Sequence, residues 1–577
     1  MLTFALNNMV GGMNPLYFKY TNLVIHLING ACIYFLTRLL LYSFRKEQTP
    51  VHGDSIFWIS LATSAAWLLH PINLTGVLYV VQRMASLSAL FMFLGMIAYL
   101  HGRKALNEGR ASGFIKIILA FLVFTPLAIF SKENGVLLPV IILLMEVVLL
   151  KWATKFTRHR QLLIVIFSAL VFLPILAMSI YLISKPDMLT ATYPIREFTM
   201  SERLMTESRV LWFYLRLIFI PDLSSFGFYH DDFQISKNLF QPFTTVTSIV
   251  GLMLLTISAF WLRKKHALLS FGILFFLIGH SLESSVFALE LVYEHRNYFP
   301  IFGILLVLMY YLVEPDIHPA TAKLRRACAV AFILIFAAST SIRANHWRDP
   351  YEAKLMEVEH HPNSIRANAD LAFFYDYLPA RTREEAQSNF DLAITHFQKA
   401  INLSDTSTLG LFGLIQTSLE HQVPVDISWW DELARRLSIV PFSPNNANSM
   451  VRLKKCYSEG ICKFDSTLLE KLIRASLNNP TLSGDRKSAI LFIWASYLYE
   501  TKHQPEEAEK AAYEGVRANP AKMTDRIFLI TFLDVLGKPR LALDEIEIAR
   551  KMDKLGSFRS SLDELDGMIR KKISKSG

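Results

Sequence analysis

The chain has 577 residues, of which 52% are hydrophobic, with a mean hydropathy of +0.32 and a formal net charge of +10. So apolar a balance excludes an ordinary soluble protein of this length. The basic residues fall largely in short loops between apolar runs, where they set orientation, and no nucleic-acid-binding motif occurs, so the charge does not point to a nucleic-acid partner. Crossing a bilayer takes about 20 apolar residues. Runs of that kind recur from Tyr17 to Ser341 and then stop. The reading is an all-α chain, with a polytopic membrane domain over 1–345 and a soluble domain over 346–577.

Taken in order, the predicted spans are 17–42, 55–70, 84–101, 114–130, 135–150, 161–183, 242–262, 267–282, 297–314 and 327–345. An eleventh apolar stretch, 207–221, is short and carries Arg209 and Arg216. The basic loops hold Arg45 with Lys46, Arg103 with Lys104 and Arg110, residues 151–160, residues 263–265, and Lys323 with Arg325 and Arg326. Short loops rich in Lys and Arg stay cytoplasmic. They share one side only if 207–221 does not cross, which makes it a re-entrant or interfacial helix covered by protein or a watery cavity. If it crosses, the later loops invert. On the first reading the tail lies outside the cytoplasm, in the periplasm of a Gram-negative cell, as does the N-terminus. No export signal precedes that N-terminus, and the expectation is that a first span is missing from this sequence.

The tail carries a helical repeat. Ala508, Ala512, Gly515 and Pro520 have the small/small/small/Pro spacing of the second helix of a tetratricopeptide repeat, and adding 34 residues reaches Ala542, Ile546, Ala549 and Lys554. An earlier unit places Leu371, Ala372 and Tyr375 on one helix and Ala393, Phe397 and Ala400 on the next. Nine extra residues fall within 377–386, and Pro362 closes a preceding half-unit. Residues 404–482 are helical but degenerate. Such a stack offers a concave surface for a peptide or protein rather than a catalytic pocket. Cys456 and Cys462 lack the two further partners a metal would need and read as a short disulfide loop, while Cys32 and Cys328 lie in spans and pack. No metal ligand set is evident elsewhere.

Four polar groups fall on the outer side. The first is His70-Pro71, continuing to Gln82-Arg83, and the second is Ser131-Lys132-Glu133-Asn134-Gly135. The third joins Arg209, Tyr214, Arg216 and Pro221 to residues 229–232, and the fourth holds Glu283, Glu294, His295, Arg296 and Tyr298. Cations and carboxylates gathered at one membrane face suit a phosphate headgroup on a lipid tail. Arginine forks match phosphate oxygens, lysine adds a point charge, and a carboxylate or His remains as general base for an acceptor hydroxyl. Each group has a plainer reading. Lys132 with Glu133 can be a turn ion pair and Arg83 can snorkel. Trp67, Trp261, Tyr293 and Tyr298 suit an aromatic belt, and 229–232 a solvated loop. His26 and Asn29 can make a polar contact between spans. Glu294-His295-Arg296 resists a plain reading, because three ionisable residues in a row at a span end are costly.

The order Asn22, His26, Asn29; His70-Pro71, Arg83, then 88–91; Ser131-Lys132-Glu133, Pro139; Arg209, Tyr214, Pro221; and Glu294, Arg296, Tyr298, Pro300, followed by the repeats, resembles one family. It is similar to the transmembrane and tetratricopeptide-repeat O-mannosyltransferases and their bacterial relatives, within the C-type (GT-C) membrane glycosyltransferases. The resemblance implies a polyprenyl-phosphate-linked sugar as donor substrate, an acceptor outside the cytoplasm, and inverting transfer to a hydroxyl. It also implies Arg83, Lys132, Arg209 and Arg296 as donor-phosphate ligands, with Glu133 and Glu294 positioning them or the acceptor. Candidates for the catalytic group are Glu133, Glu294 and His295; His70, Tyr214, Glu283 and Tyr298 are further polar site candidates. One departure stands out. Such enzymes carry an acid just after the first span, whereas no Asp or Glu precedes Glu47 here, and Glu47 is on the cytoplasmic side.

The expected function is therefore a membrane glycosyltransferase of the bacterial inner membrane. Its repeats would hold an envelope protein or glycan as acceptor, its partners would be membrane lipid and the lipid-linked sugar, and no cofactor is evident. The alternative is a non-catalytic membrane-anchored repeat scaffold for envelope assembly, which the absent acid favours; a third option is a lipid-linked glycan polymerase or ligase.

Overall fold

The computed structural model describes residues 2–45 and 53–576; Lys46 and Glu47 of the first basic loop lie outside the described residues. Every regular element among the described residues is helical. The chain separates into two compact units, one of Met1–Tyr193 with Phe198–His361, the other of Pro194–Glu197 with Pro362–Gly577.

Among the described residues of the first unit, seven helices are long and apolar enough to cross a membrane: Pro15–Phe44, Val80–Asn107, Gly113–Ser131, Glu133–Leu150, Thr157–Ser184, Thr244–Leu262 and Pro319–His346. An eighth candidate is the pair Asp54–Leu69 and Pro71–Leu78, bent by 52° at His70. Two shorter apolar helices, Ala267–His280 and Ile301–Val313, complete the ten segments read from hydropathy. They pack by close backbone approach: a Cβ on Gly272 would lie 2.6 Å from the Gly303 carbonyl oxygen, so only glycine fits there. The chain is thus an all-α, multi-pass membrane protein.

Residues 207–221 are not a short stretch. They end a 20-residue helix, Met200–Phe219, capped by Thr199 and Glu202 in a reciprocal box. It carries Arg203, Glu207, Arg209 and Arg216, too many charges for a span, and it is not among the apolar ones. Trp67 and Tyr298 are fully buried in the core rather than in an aromatic belt, and Trp261 is the exposed one at 75%. The Trp67 indole donates to the Tyr298 carbonyl. His26 accepts from the Tyr298 hydroxyl at 2.8 Å, and Asn29 donates to that hydroxyl at 3.3 Å and to the Ser86 carbonyl at 2.9 Å. The accepting role of His26 Nδ1 follows because Nε2 faces the Leu68 carbonyl and must donate. This seam joins the first span to the turn before the ninth.

The second unit is a helical solenoid. Helices begin at Pro505 and Pro539, 34 residues apart, and Ala508, Ala512, Gly515 and Ala542, Ile546, Ala549 are all buried at their contacts. The insertion expected within 377–386 is partly helix: Ile365–Tyr377 ends, a short loop follows, and Arg383–Asn402 starts. Residues 404–482 hold four helices, from Leu409–Glu420 to Ser466–Leu477. Cys456 and Cys462 are joined by a disulfide. Cys32 is buried, whereas Cys328 is exposed and does not pack inside the protein. In the chain-entropy account a loop this short constrains the unfolded state by about 2 kcal/mol. A Cys456→Ala, Cys462→Ala variant should therefore unfold at lower denaturant, with a slope equal to or slightly above that of the intact chain, read from helical circular dichroism.

Candidate functional site

Lys132 is the hinge of the site. The helix before it ends at Ser131, Lys132 adopts extended backbone, and a new helical turn starts at Glu133. The reversal is tight: a Cβ on Gly135 would lie 2.3 Å from the Ala128 carbonyl carbon. The turn aims Lys132 inward, where Nζ meets Glu283 at 2.6 Å, both side chains buried. Lys132 therefore pairs with Glu283 rather than with Glu133, which is exposed.

Arg296 and Arg203 extend the cluster. Arg296 donates to the Leu291 carbonyl at 2.8 Å and the Glu290 carbonyl at 2.6 Å, and lies 3.8 Å from Glu207. Arg203, one helical turn before Glu207, lies 2.8 Å from its carboxylate. Its remaining donors reach the carbonyls of Glu283, Ser285, Leu289 and Glu290. Two guanidiniums thus organise the irregular 281–293 loop through its backbone. Tyr214 ties the same loop down, its hydroxyl donating to the Tyr293 carbonyl at 3.0 Å and accepting from the Tyr293 N–H at 2.9 Å. The joined cluster holds Lys132, Arg203 and Arg296 against Glu207 and Glu283.

A narrow cavity opens on this cluster. Its polar lining includes Ser88, Lys132, Asn134, His295 and Arg296, and its apolar wall includes Met92 and Phe299. Burial opposes ionisation of Glu283, yet Lys132 and Arg296 hold its carboxyl down at about 2. Burial and the adjoining Lys132 push His295 well below its ordinary value, leaving a neutral imidazole beside two cations. Burial pushes Glu207 up to about 7 against the pull of Arg203 and Arg296. Below that pH three positive charges face Glu283 alone; above it they face two carboxylates. An uncharged-to-charged change at Glu207 should weaken anion binding as pH rises. A phosphodiester lipid, which does not titrate here, is expected to bind more tightly at about pH 6 than at about pH 8, with the difference abolished in Glu207→Gln. A flat wild-type profile contradicts this.

The structure does not bring all the candidates to this cavity. Arg83 is buried elsewhere, its nitrogens on Asn22 Oδ1 and the carbonyls of Thr3 and Phe18, its plane 4.4 Å from Phe4. It is an inward-facing pin rather than a snorkelling side chain. Arg209 reaches the Gln234 carbonyl at 2.5 Å and stacks on Phe233. His70 caps the helical break: Nδ1 accepts from the Ile72 N–H and Nε2 donates to the Ile218 carbonyl. Both of its nitrogens are used. Glu294 turns away from the cavity. It accepts from both Arg343 and the Gly227 N–H, with His230 3.9 Å away. Residues 229–232 are not simply solvated, because His230 is buried while Asp231 and Asp232 are exposed.

Sequence reasoning missed Arg203, Glu207 and Arg343. The four-residue spacing of Arg203 and Glu207 was a usable signal, hidden because the helix was started at Glu207.

The fold and site define a multi-pass membrane protein with a buried, cation-rich cluster opening on a cavity, and with a helical solenoid on the same chain. No protein-family model matches it. Over 142 residues, 24% of the chain, it is 28% identical to the human protein named Protein O-mannosyl-transferase TMTC1, covering 14% of that protein. The mouse protein of the same name is 27% identical over 144 residues, with the same coverage. The match thus spans 14% of the length of these curated relatives.

Proposed function

We propose that the chain is a membrane glycosyltransferase that moves a sugar from a polyprenyl-phosphate carrier to a hydroxyl of an envelope protein or glycan. The observation that carries this is the meeting of Lys132, His295 and Arg296 on one cavity, with cations outnumbering carboxylates behind it. The cavity of about 20 Å³ is water-sized, so binding widens it, with the carrier's phosphate at the cationic end and its tail along the apolar wall. The acceptor oxygen bonds to the anomeric carbon as the bond from that carbon to the phosphate oxygen breaks. The leaving phosphate keeps the electron pair, and fixed positive charge stabilises it. The acceptor proton goes to His295, the member of the three catalytic candidates that lines the cavity, where the negative charge developing on the leaving phosphate offsets the burial and the adjoining cations that otherwise oppose an imidazolium. The O-mannosyltransferase name of the partial relatives supports the same class and favours mannose. The tetratricopeptide-like solenoid holds the acceptor, in the periplasm of a bacterial inner-membrane protein.

The scaffold reading draws support from one observation: Glu294 is committed to Arg343, and Glu133 is exposed and outside the cavity lining, so neither offers a free acid at the cavity. Transfer from radiolabelled polyprenyl-phosphate mannose in membranes separates the two. Label reaching acceptor in wild type but not in His295→Ala supports the enzyme; label in neither supports the scaffold.

A further inference from the structure

Arg343, near the end of the last apolar helix, donates to both oxygens of Glu294 at 2.9 and 3.1 Å and to the Pro71 carbonyl at 2.5 Å. Its guanidinium stacks 4.2 Å from the Phe226 ring. Glu294 opens the short helical turn Glu294–Asn297, whose next two residues are the cavity-lining His295 and Arg296. One side chain therefore ties the last apolar helix, the break after the bent helix, the 226–227 loop and the cavity turn to one another.

The loop adds a second carboxylate. Three successive backbone N–H groups point at two acids: Gly227 donates to Glu294 at 2.9 Å, Phe228 to Glu357 at 2.9 Å and Tyr229 to Glu357 at 2.6 Å. Glu357 lies on the Pro350–His360 helix. Space around it is full, since a Cβ on Gly227 would lie 2.5 Å from His361 Nε2 and 2.8 Å from Glu357 Oε1. The groups facing the pair are Arg343, His230 beside Glu294, and His361, which is held by Asp232 at 3.0 Å.

We propose that Arg343 is a positioning residue for the anion cavity, and that Arg343, Glu294 and Glu357 form a proton-sensitive joint that seats the His295–Arg296 turn. The inference rests on the lipid-phosphate reading only for what the cavity binds; the joint itself stands on its own contacts. Burial pushes Glu357 up to about 7, with the Phe228 and Tyr229 N–H groups pulling the other way; burial raises Glu294 too, but it serves the joint as the carboxylate that Arg343 holds, so Glu357 is the proton-sensitive member. The hydrogen bond that His361 donates to Asp232 raises His361 against its burial. Glu357, whose value is raised in the seated state, takes up a proton on seating. Seating is therefore favoured at acid pH and lost as pH rises through about 7.

The test places a reporter thiol on the turn with His295→Cys in the full chain, in lipid nanodiscs, and follows maleimide labelling peptide by peptide so that Cys32 and Cys328 are read separately. Arg343→Gln and Glu294→Gln are expected to raise the reporter's labelling rate by about tenfold or more, as a locally opened segment would. Arg343→Lys falls between, and Arg348→Gln, an exposed neighbour, leaves the rate unchanged. Equal rates in all of these overturn the positioning role. If Arg343→Gln does not give a cooperative melt, Arg343→Lys and Glu294→Asp decide the matter. The ratio of labelling in the reporter background to that with Glu357→Gln added should be near one below about pH 6 and grow above about pH 7; a flat ratio removes the proton link. Addition of a polyprenyl phosphate separates the two readings. If it fails to slow reporter labelling while the Arg343 variants still speed it, the phosphate reading falls and the joint stands.

Discussion

Lys132→Met should lower sugar transfer from a polyprenyl-phosphate donor by about 10²–10³-fold, the usual loss when one fixed stabiliser of developing charge is removed. Methionine keeps most of the side-chain volume, so the change is chiefly electrostatic. It also leaves Glu283 buried without its 2.6 Å partner. The double variant Lys132→Met, Glu283→Gln separates the two consequences. It should recover the stability of wild type while remaining defective in transfer and in lipid-phosphate binding. If the double variant recovers transfer as well, Lys132 is a structural ion pair and the cavity has lost its main cation.

The second large effect concerns folding. Arg203→Met should destabilise the protein by about 3–5 kcal/mol, the cost of breaking a buried pair from one side. Arg203 is fully buried, faces Glu207 at 2.8 Å and serves carbonyls of the 281–293 loop. Its loss strands a carboxylate and unsatisfied backbone oxygens together. Arg209→Met, six residues on, provides the contrast. Arg209 is half-buried and its strongest contact is one carbonyl, so the change should cost about 1 kcal/mol. Thermal unfolding of both variants in the same nanodiscs checks the difference, and comparable losses would mean that the loop does not depend on Arg203.

The spans were legible because hydropathy is a local property summed over a window, and the helices fall where the apolar runs do. The repeat was legible in the same way: small residues recurring at a fixed period have to lie where helices touch. The site was legible only as a set of exceptions to the apolar pattern. That Lys132 meets Glu283 rather than Glu133 depends on where one turn aims its side chain and where a distant loop returns, and neither is written locally. Hydropathy also misplaced residues whose polarity is met inside. Tyr298 and Trp67 read as interfacial, yet His26 and Asn29 supply the Tyr298 hydroxyl with partners, and the Trp67 indole finds the Tyr298 carbonyl. Arg343 escaped notice because it sits within an apolar window that tolerates one charge, while its partner Glu294 was taken for part of the phosphate site. Arg83 shows the converse. A cation in the right order along the chain was assigned to the phosphate, and the structure spends its donors on carbonyls and Asn22.

The most direct measurement is photo-cross-linking of the full chain in nanodiscs by a polyprenyl phosphate bearing a diazirine next to its headgroup, followed by peptide mapping. Adducts should concentrate on residues 85–92, 132–137 and 295–300, and should be lost in Lys132→Met. Adducts spread over the lipid-facing helices Thr157–Ser184 and Thr244–Leu262, in equal amount in wild type and variant, would contradict a phosphate-binding cavity at Lys132.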